Sequence, residues 1–327
     1  MGRIRAVCIS EKKGTPKSEV EKALFIAEFG IENDAHAGKW HRQVSILSSE
    51  SVENFEKRAF SENKNDDESV CESRQAILPG AFGENLITEG IDLGSLPCGS
   101  ILTIGDVILK LSQRGKECHE GCAIRQKTGK CIMPKEGVFA EVVRGGTVRK
   151  GDQVTVELTP AGRPFRAAVV TMSDKASRGE RTDESGELLT RLLSDAGFEI
   201  IEKTILPDEE PLLVDNLVRI SDNRDADLII TTGGTGFSAR DITPEATMKV
   251  ALKNVPGIAE AIRYKTMEKT PKALLSRGVS VIRGKTLIIN FPGSPKAVKE
   301  CFEVVEPILG HGLAILTGRE NECGKPL

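Results

Sequence analysis

Short β-branched and aliphatic runs separated by polar turns dominate the first half of the chain. Ile4–Ile9, Val44–Leu47, Asn85–Thr88, Ile101–Ile104, Val107–Leu111, Val138–Val143 and Val154–Leu158 have the length and composition of strands. Gly105-Asp106, between two of them, reads as a tight hairpin turn, although this order is less favoured than Asp-Gly. Val52–Phe60 is the clearest helix, with Ser49 as its cap. Many short strands joined by glycine-rich turns predict a β-rich, barrel-like unit.

The pattern changes after Leu158-Thr159-Pro160-Ala161-Gly162-Arg163-Pro164, where two prolines and a glycine mark a linker. The expected domains are therefore residues 1–160 and 165–327. Beyond the linker strands alternate with helices: Arg166–Thr171, Glu199–Thr204 and Asp227–Thr231 are strands, and Glu187–Ala196 and Leu212–Ile220 are helices, the first closed by Gly197. Val279–Arg283 and Thr286–Asn290 form a hairpin about Gly284-Lys285, and Lys296–Val305 is a late helix. Alternation of this kind predicts an α/β unit, a mostly parallel sheet wrapped by helices.

Composition narrows the function classes. The chain has 327 residues, 39% hydrophobic and 28% charged, enough for two cores built from aliphatic side chains, since aromatics are only 4%. Its 45 basic and 48 acidic residues give a net charge of −3, with no clustered basic excess for nucleic acid. The acidic run Asn65-Asp66-Asp67-Glu68 is read as a solvated loop. Neither a leader pattern nor a long apolar run is present, so the expected location is the cytoplasm, with no membrane partner. Eight cysteines are then expected mostly reduced, and clustered ones become candidates for chemistry.

The strand Leu228-Ile229-Ile230 runs into Thr231-Thr232-Gly233-Gly234-Thr235-Gly236. Ligands of parallel α/β sheets sit at strand carboxyl ends, and a glycine loop there lets backbone N–H groups approach anionic oxygens. A bare glycine loop is as often a structural turn; Arg240-Asp241, shortly beyond, adds to the case. A carboxylate beside a phosphate cradle repels it unless a divalent cation intervenes, although Arg240 can offset some of the charge. Thr243 is placed to cap a helix with Pro244 at its first position, where a missing N–H costs nothing. Asp208 follows another strand, either at the same edge or as a solvated helix start before Pro211. Ser173-Asp174 and Pro292-Gly293-Ser294 occupy the equivalent positions after the first and last strands.

Together T-T-G-G-T-G, R-D-x-T-P-E-A, L-P-D-E, N-x-P-G-S-P-K and V-x-T-M-S-D resemble the molybdopterin adenylyltransferase family (MogA/MoaB type), as do P-G-I-A-E-A-I-R and A-L-L-S-R, over roughly Arg166–Leu316. The resemblance implies conversion of ATP and molybdopterin to adenylylated molybdopterin and pyrophosphate, with Mg²⁺. Asp208 and Asp241 would hold the metal and triphosphate, directly or through water. Thr232, Gly233, Gly234, Thr235 and Gly236 would hold phosphates, and Ser173, Asp174, Pro292, Gly293 and Ser294 would contact nucleotide or pterin. It also implies a homotrimer formed through this unit.

In the first half Cys118, Cys122 and Cys131 cluster beside Arg114, Lys116 and Arg125, which favour a thiolate. Their spacing fits neither a zinc ribbon nor common cluster patterns. Isolated Cys8, Cys98 and Cys301 read as buried small hydrophobes. Gly30-Ile31-Glu32-Asn33-Asp34-Ala35-His36-Ala37-Gly38, Trp40-His41-Arg42-Gln43-Val44-Ser45, Pro79-Gly80-Ala81-Phe82-Gly83-Glu84-Asn85-Leu86, Glu117-Cys118 and Met133–Val143 resemble a molybdenum cofactor sulfurase C-terminal (MOSC) domain over roughly Arg3–Leu158. That resemblance implies cofactor binding or sulfur carriage through a cysteine. Cys118 comes first, with Cys122 and Cys131 as competitors and as candidate molybdenum or sulfur ligands. It carries a family-level association with pyridoxal phosphate and makes molybdenum-insertion proteins or molybdoenzymes plausible partners. His36, His41 and Arg42 either line an anionic pocket or are structural, and His311 reads as structural. The rival readings are a non-catalytic carrier of the cofactor and a sulfurtransferase with a cofactor-loading domain.

Overall fold

The computed structural model describes residues 2–62, 77–116, 131–158 and 162–320. Two compact units, Met1–Pro160 and Ala161–Leu327, account for the chain. Among the described residues no helix is long and apolar enough to cross a membrane.

The first unit contains β1 (Gly2–Ile9), β2 (Ser18–Val20), β3 (Lys22–Ile26), β4 (Gly30–Ile31), β5 (Val44–Ser48), β6 (Leu86–Glu89), β7 (Ile101–Ile104), β8 (Val107–Arg114), β9 (Val138–Arg144), β10 (Gly146–Arg149) and β11 (Gln153–Glu157). Seven of these form a barrel in the order β11-β7-β8-β9-β5-β6-β1, which closes where Gly2 and Arg3 lie opposite Val154 and Gln153. Closure leaves no open edge, and inward aliphatics such as Ile46, Leu86, Leu102, Leu109, Ala140 and Val154 fill the interior. β2 extends β1, and β10-β3-β4 form a separate sheet. The β7–β8 hairpin turns as expected about Gly105, whose φ of 56° puts the glycine first, the order a type II′ turn requires.

Helix α1 (Ser49–Glu62) starts earlier than its apolar pattern suggests. The hydroxyl of Ser48, not Ser49, accepts the Ser51 N–H at 3.0 Å. Ser49 is already helical, and a cap must lie outside the helix to reach back to an orphan N–H. The short α2 (Met133–Glu136) buries Met133 beside Leu47, Phe82 and Phe139.

Beside Ser10, just past the end of β1, Lys17 Nζ lies 2.5 Å from Asp34 Oδ2, both side chains fully buried. Asp34 also accepts the N–H groups of Ser10 and His36 at 3.0 Å. Burial opposes the Asp34 charge, but the hydrogen bonds from His36 and Lys17 outweigh it and hold this carboxyl below its usual range.

The second unit is a six-stranded sheet of β12 (Arg166–Met172), β13 (Glu199–Leu206), β14 (Leu228–Thr232), β15 (Lys253–Asn254), β16 (Ser280–Arg283) and β17 (Thr286–Phe291), ordered β13-β12-β14-β17-β16-β15. The first four are parallel and the last two antiparallel. Helices α3 (Asp174–Ser177), α4 (Glu184–Asp195), α5 (Glu210–Val218), α6 (Thr243–Val250), α7 (Pro256–Met267) and α8 (Pro295–Thr317) complete it. Alternate residues of one strand face different cores. Ala167 and Val169 pack with Leu189, Leu193, Phe302 and Leu309 of α4 and α8, whereas Ala168 and Val170 pack with Leu213, Leu217 and Val250 of α5 and α6. Both faces being covered, β12, β14 and β17 are buried throughout.

Helix boundaries shift from the sequence reading for local reasons. α4 begins at Glu184 because Asp183 caps it, accepting the Gly186 N–H at 2.8 Å. α5 runs Glu210–Val218 and passes into a wider turn at Arg219–Asn223. α8 does not end at Val305 but continues through Pro307, Gly310 and Gly312 to Thr317. Val298, Cys301, Phe302, Val305, Leu309 and Leu313 are buried at helical spacing, and their packing outweighs those residues' poor propensity.

Asp34→Asn leaves a buried ammonium without its counter-charge, so the first unit should lose about 3–5 kcal/mol. Denaturant unfolding followed through Trp40, the chain's one tryptophan, reads this. Because folding lowers the Asp34 pKa, the contribution is complete above the unfolded value of 3.8 and is lost as pH falls below it. A loss under 1 kcal/mol would show the pair behaves as an exposed one.

Candidate active site

Parallel pairing brings four strand ends to one edge of the second sheet. β12 leads into Ser173-Asp174, β13 into Pro207-Asp208, β14 into Gly233-Gly234 and β17 into Pro292-Gly293. The loop after β14 is held by its own backbone and by buried hydroxyls. Gly233 N donates to Phe291 O at 3.1 Å, Thr232 Oγ1 to Pro292 O at 2.8 Å, and Thr243 Oγ1 to Gly233 O at 2.9 Å. Thr243 is therefore not the cap of α6 but its first residue, tying the helix to the loop; Ile242 precedes it as the cap position. Gly233 and Gly234 have φ of 97° and 63°, and a Cβ would overlap Met172 O at the first and Thr243 Oγ1 at the second. Below the loop, buried Asn290 donates to Thr231 Oγ1 and Thr247 Oγ1, both at 2.9 Å.

Three carboxylates stand at this edge. The Asp174 and Asp208 segments are reciprocally bonded: Asp174 N donates to Asp208 Oδ2 and Asp208 N to Asp174 Oδ1, each at 3.1 Å. Arg240 grips Asp174 with Nη2 at 2.7 and 2.9 Å and Nε at 3.1 Å, and the Asp174 carboxyl is held low by that hydrogen bonding. The Asp208 carboxyl is instead pushed up, first by burial, with the charges of Asp174 and Asp241 adding to it. Asp241 Oδ2 accepts the Ser238 N–H at 2.9 Å. Arg277 braces the same segment, donating Nε to Gly236 O and Nη2 to Asp241 O, both at 2.7 Å, while pairing with Glu245.

Two cavities flank the loop. One of about 240 Å³ is lined by Ser173, Asp208, Thr232, Gly233, Gly234, Asp241 and Gly293, with Thr171, Arg181, Asp183 and Ser185. The other, about 570 Å³, is lined by Gly233, Gly234, Thr235, Gly236, Asp241, Pro292, Gly293 and Ser294 together with α7 and α8 side chains including Ile262, Arg263 and Cys301. They share Gly233, Gly234, Asp241 and Gly293. Asp174 lies beside the first cavity without lining it, through its bonds to Asp208. Ser173 and Ser294 also cap helices, accepting from Ala176 N at 3.2 Å and Ala297 N at 3.3 Å. Arg181, Asp183 and Ser185 were not singled out in the sequence, where R-T-D-E-S-G was the available signal; Arg263 and Arg277 end the P-G-I-A-E-A-I-R and A-L-L-S-R motifs but were given no role there. Among the described residues no three His, Cys, Asp or Glu side chains are grouped to hold a metal ion by themselves.

Comparison with known proteins gives this arrangement a family. A family described as a probable molybdopterin binding domain matches residues 168–311, and the MOSC domain family matches residues 33–155. The molybdopterin adenylyltransferase of Helicobacter pylori is 41% identical over 152 residues, covering 46% of this chain and 86% of the relative. The chain belongs to the molybdopterin adenylyltransferase family. The Escherichia coli molybdopterin adenylyltransferase is 40% identical over 150 residues, 45% of this chain and 76% of that protein. The molybdenum cofactor synthesis protein cinnamon of Drosophila melanogaster is 39% identical over 150 residues, 45% of this chain and 25% of that protein. Among solved structures, the molybdopterin biosynthesis enzyme MoaB of Thermus thermophilus is 45% identical and covers 47% of this chain and 97% of its own, with a TM-score of 0.46.

In the MOSC unit, Cys118 and Cys122 lie outside the described residues. Cys131 is half-buried against the cluster of Leu47, Phe82, Met133 and Phe139. Cys8, Cys98 and Cys301 are buried, and burial pushes the Cys8 and Cys301 thiols up to about 12. His36 lies beside the Lys17–Asp34 pair, its Nδ1 3.2 Å from Lys17 Nζ. His41 Nε2 is 2.8 Å from Gln113 Oε1, and Arg42 sits over the Trp40 ring at 4.9 Å. His311 pairs with Glu320 at 3.1 Å.

In the adenylyltransferase unit, Gly234→Ala puts a side chain at positive φ against Thr243, a strain of about 1–2 kcal/mol. The variant should stay folded by circular dichroism yet lose ATP affinity as the loop shifts. Unchanged affinity would show that the loop conformation does not matter to the ligand.

Proposed function

We propose that the second unit transfers the adenylyl group of ATP to molybdopterin. A terminal phosphate oxygen of molybdopterin attacks the α-phosphorus, the bond from that phosphorus to the α–β bridging oxygen breaks, and pyrophosphate leaves with the electron pair. Family membership supports this reading, and one geometric observation carries it: two cavities meet on a single glycine loop. A two-substrate transfer needs its reacting phosphates held side by side, and the shared stretch at Gly233, Gly234 and Gly293 is where that can occur.

The phosphate nucleophile is already ionised, so positioning and charge neutralisation outweigh any need for a protein base. Backbone N–H groups of Gly234–Gly236 would hold phosphate oxygens, with Thr235 adding a hydroxyl, while Thr232 and Gly233, bonded to Pro292 O and Phe291 O, line the cavity and fix the loop. Ser173, Asp174, Pro292, Gly293 and Ser294 would contact nucleotide or pterin. Asp208 and Asp241 share a cavity wall, and their hard oxygen donors suit Mg²⁺, which takes one or two carboxylates and completes its shell with substrate phosphate and water. They would hold Mg²⁺, directly or through water, and the ion would neutralise charge on the triphosphate.

The MOSC unit, in this reading, binds molybdenum cofactor or carries sulfur on a cysteine, Cys118 first, with Cys122 and Cys131 as alternatives and pyridoxal phosphate a family-level association. Cytoplasmic location, assembly as a homotrimer through the second unit, and delivery to insertion proteins or molybdoenzymes belong to the same proposal.

Purified protein given molybdopterin, ATP and Mg²⁺ should yield adenylylated molybdopterin and pyrophosphate. Asp241→Asn and Asp208→Asn should each lower turnover on the order of 10²-fold or more. Binding of both substrates without product would replace the transferase with a carrier.

A further inference from the structure

The carboxylates of Asp174, Asp208 and Asp241 make the edge of the small cavity a poor place for a polyphosphate unless positive charge can be moved there. Arg240 is hydrogen-bonded into that group, and its geometry is that of a residue able to change partners. Its neighbours are fixed: Ser238 N donates to Asp241 Oδ2, Asp241 N to Ser238 O at 3.0 Å, and Arg277 Nη2 to Asp241 O. The loop backbone therefore stays in place when the Arg240 side chain moves. That side chain is 58% exposed and its partner Asp174 28% exposed, so water can take over the hydrogen bonds of the forked pair when the arginine leaves. A guanidinium fork fits a phosphate as well as a carboxylate.

Asp174 is also prepared to lose this partner. Its Oδ1 accepts the Asp208 N–H at 3.1 Å and its own N–H is satisfied by Asp208 Oδ2, so no buried group is orphaned when Arg240 leaves. The nearby Arg178 is committed to Glu180 at 2.8 and 3.1 Å. A single phosphate can be held by the backbone donors of the glycine loop. The further charges of a triphosphate are what call for the arginine.

We propose that Arg240 is a substrate-contacting residue, which Asp174 holds in the free site and which transfers to the polyphosphate of the bound nucleotide. The proposal rests on the adenylyltransferase reading and deepens it. Asp174 and the nucleotide then compete for one guanidinium, and ATP affinity contains the free energy of breaking the Arg240–Asp174 pair.

The test is a double-mutant cycle on the full chain, reading ATP and AMP binding by calorimetry with Mg²⁺ present. Arg240→Gln should weaken ATP binding about tenfold and leave AMP within about twofold, with Arg240→Lys intermediate because it keeps charge but loses the fork. Asp174→Asn should tighten ATP binding several-fold, and most of that gain should vanish in the Arg240→Gln background. An equal gain in both backgrounds would mean that Asp174 acts by plain repulsion, which overturns the exchange while leaving ATP binding and the transferase intact. Equal weakening of ATP and AMP by Arg240→Gln overturns the assignment to the polyphosphate. Wild-type protein that binds no ATP overturns both this inference and the transferase reading.

Discussion

The parallel register of β13, β12, β14 and β17 is the constraint from which the site follows. Met172 stands beside Leu206, Thr171 beside Thr232, and Thr232 beside Phe291, so four chains leave the sheet together. A slip of one residue would turn Ala167, Val169, Leu228 and Ile230 out of one core and into the other. Two-sided burial thus enforces the coincidence of strand ends that a phosphate site requires. The crossover helices that make parallel pairing possible also supply capped termini at the same edge, at Ser173, Asp183 and Ser294.

The buried side chains that hold the glycine loop find their partners within the protein. Asn290 bridges β14 and α6, Thr243 ties α6 to Gly233, and Thr232 ties the loop to Pro292, so the loop is held before any ligand arrives. Such pre-organisation is what a displacement at phosphorus requires, since oriented dipoles need not reorganise as charge moves. The charged groups are arranged differently. Asp208 is partly buried with its carboxyl raised, Asp174 is held low by an exposed arginine, and Asp241 is pinned through Ser238 and Arg277. A pinned backbone cradle beside an exposed cation separates positioning from charge adjustment.

Much of the second unit was legible because local signals agree with the fold. Strand runs alternating with amphipathic helices pointed to the parallel sheet, and T-T-G-G-T-G after Leu228-Ile229-Ile230 pointed to the loop. What escaped the sequence was set at a distance. Arg240 meets Asp174 across 66 positions and Arg277 meets Asp241 across 36, and nothing local marks either contact. Thr243 looked like a helix cap because the hydroxyl's true acceptor, Gly233 O, lies ten residues back. The end of α8 was hidden by Pro307 and two glycines, and the three-residue β2 and two-residue β4 are too short for a periodicity to show.

Barrel closure in the MOSC unit rests on aliphatic packing and on the pairing of β1 with β11. The central claim concerns the second unit: two substrates occupy two cavities that meet on one loop. Its most direct measurement is molybdopterin binding to protein saturated with α,β-methylene ATP, in which the bond to be broken is inert. The account predicts a ternary complex with one of each ligand per chain. Mutual exclusion of the two ligands would contradict it, because a single shared cavity cannot carry out the transfer.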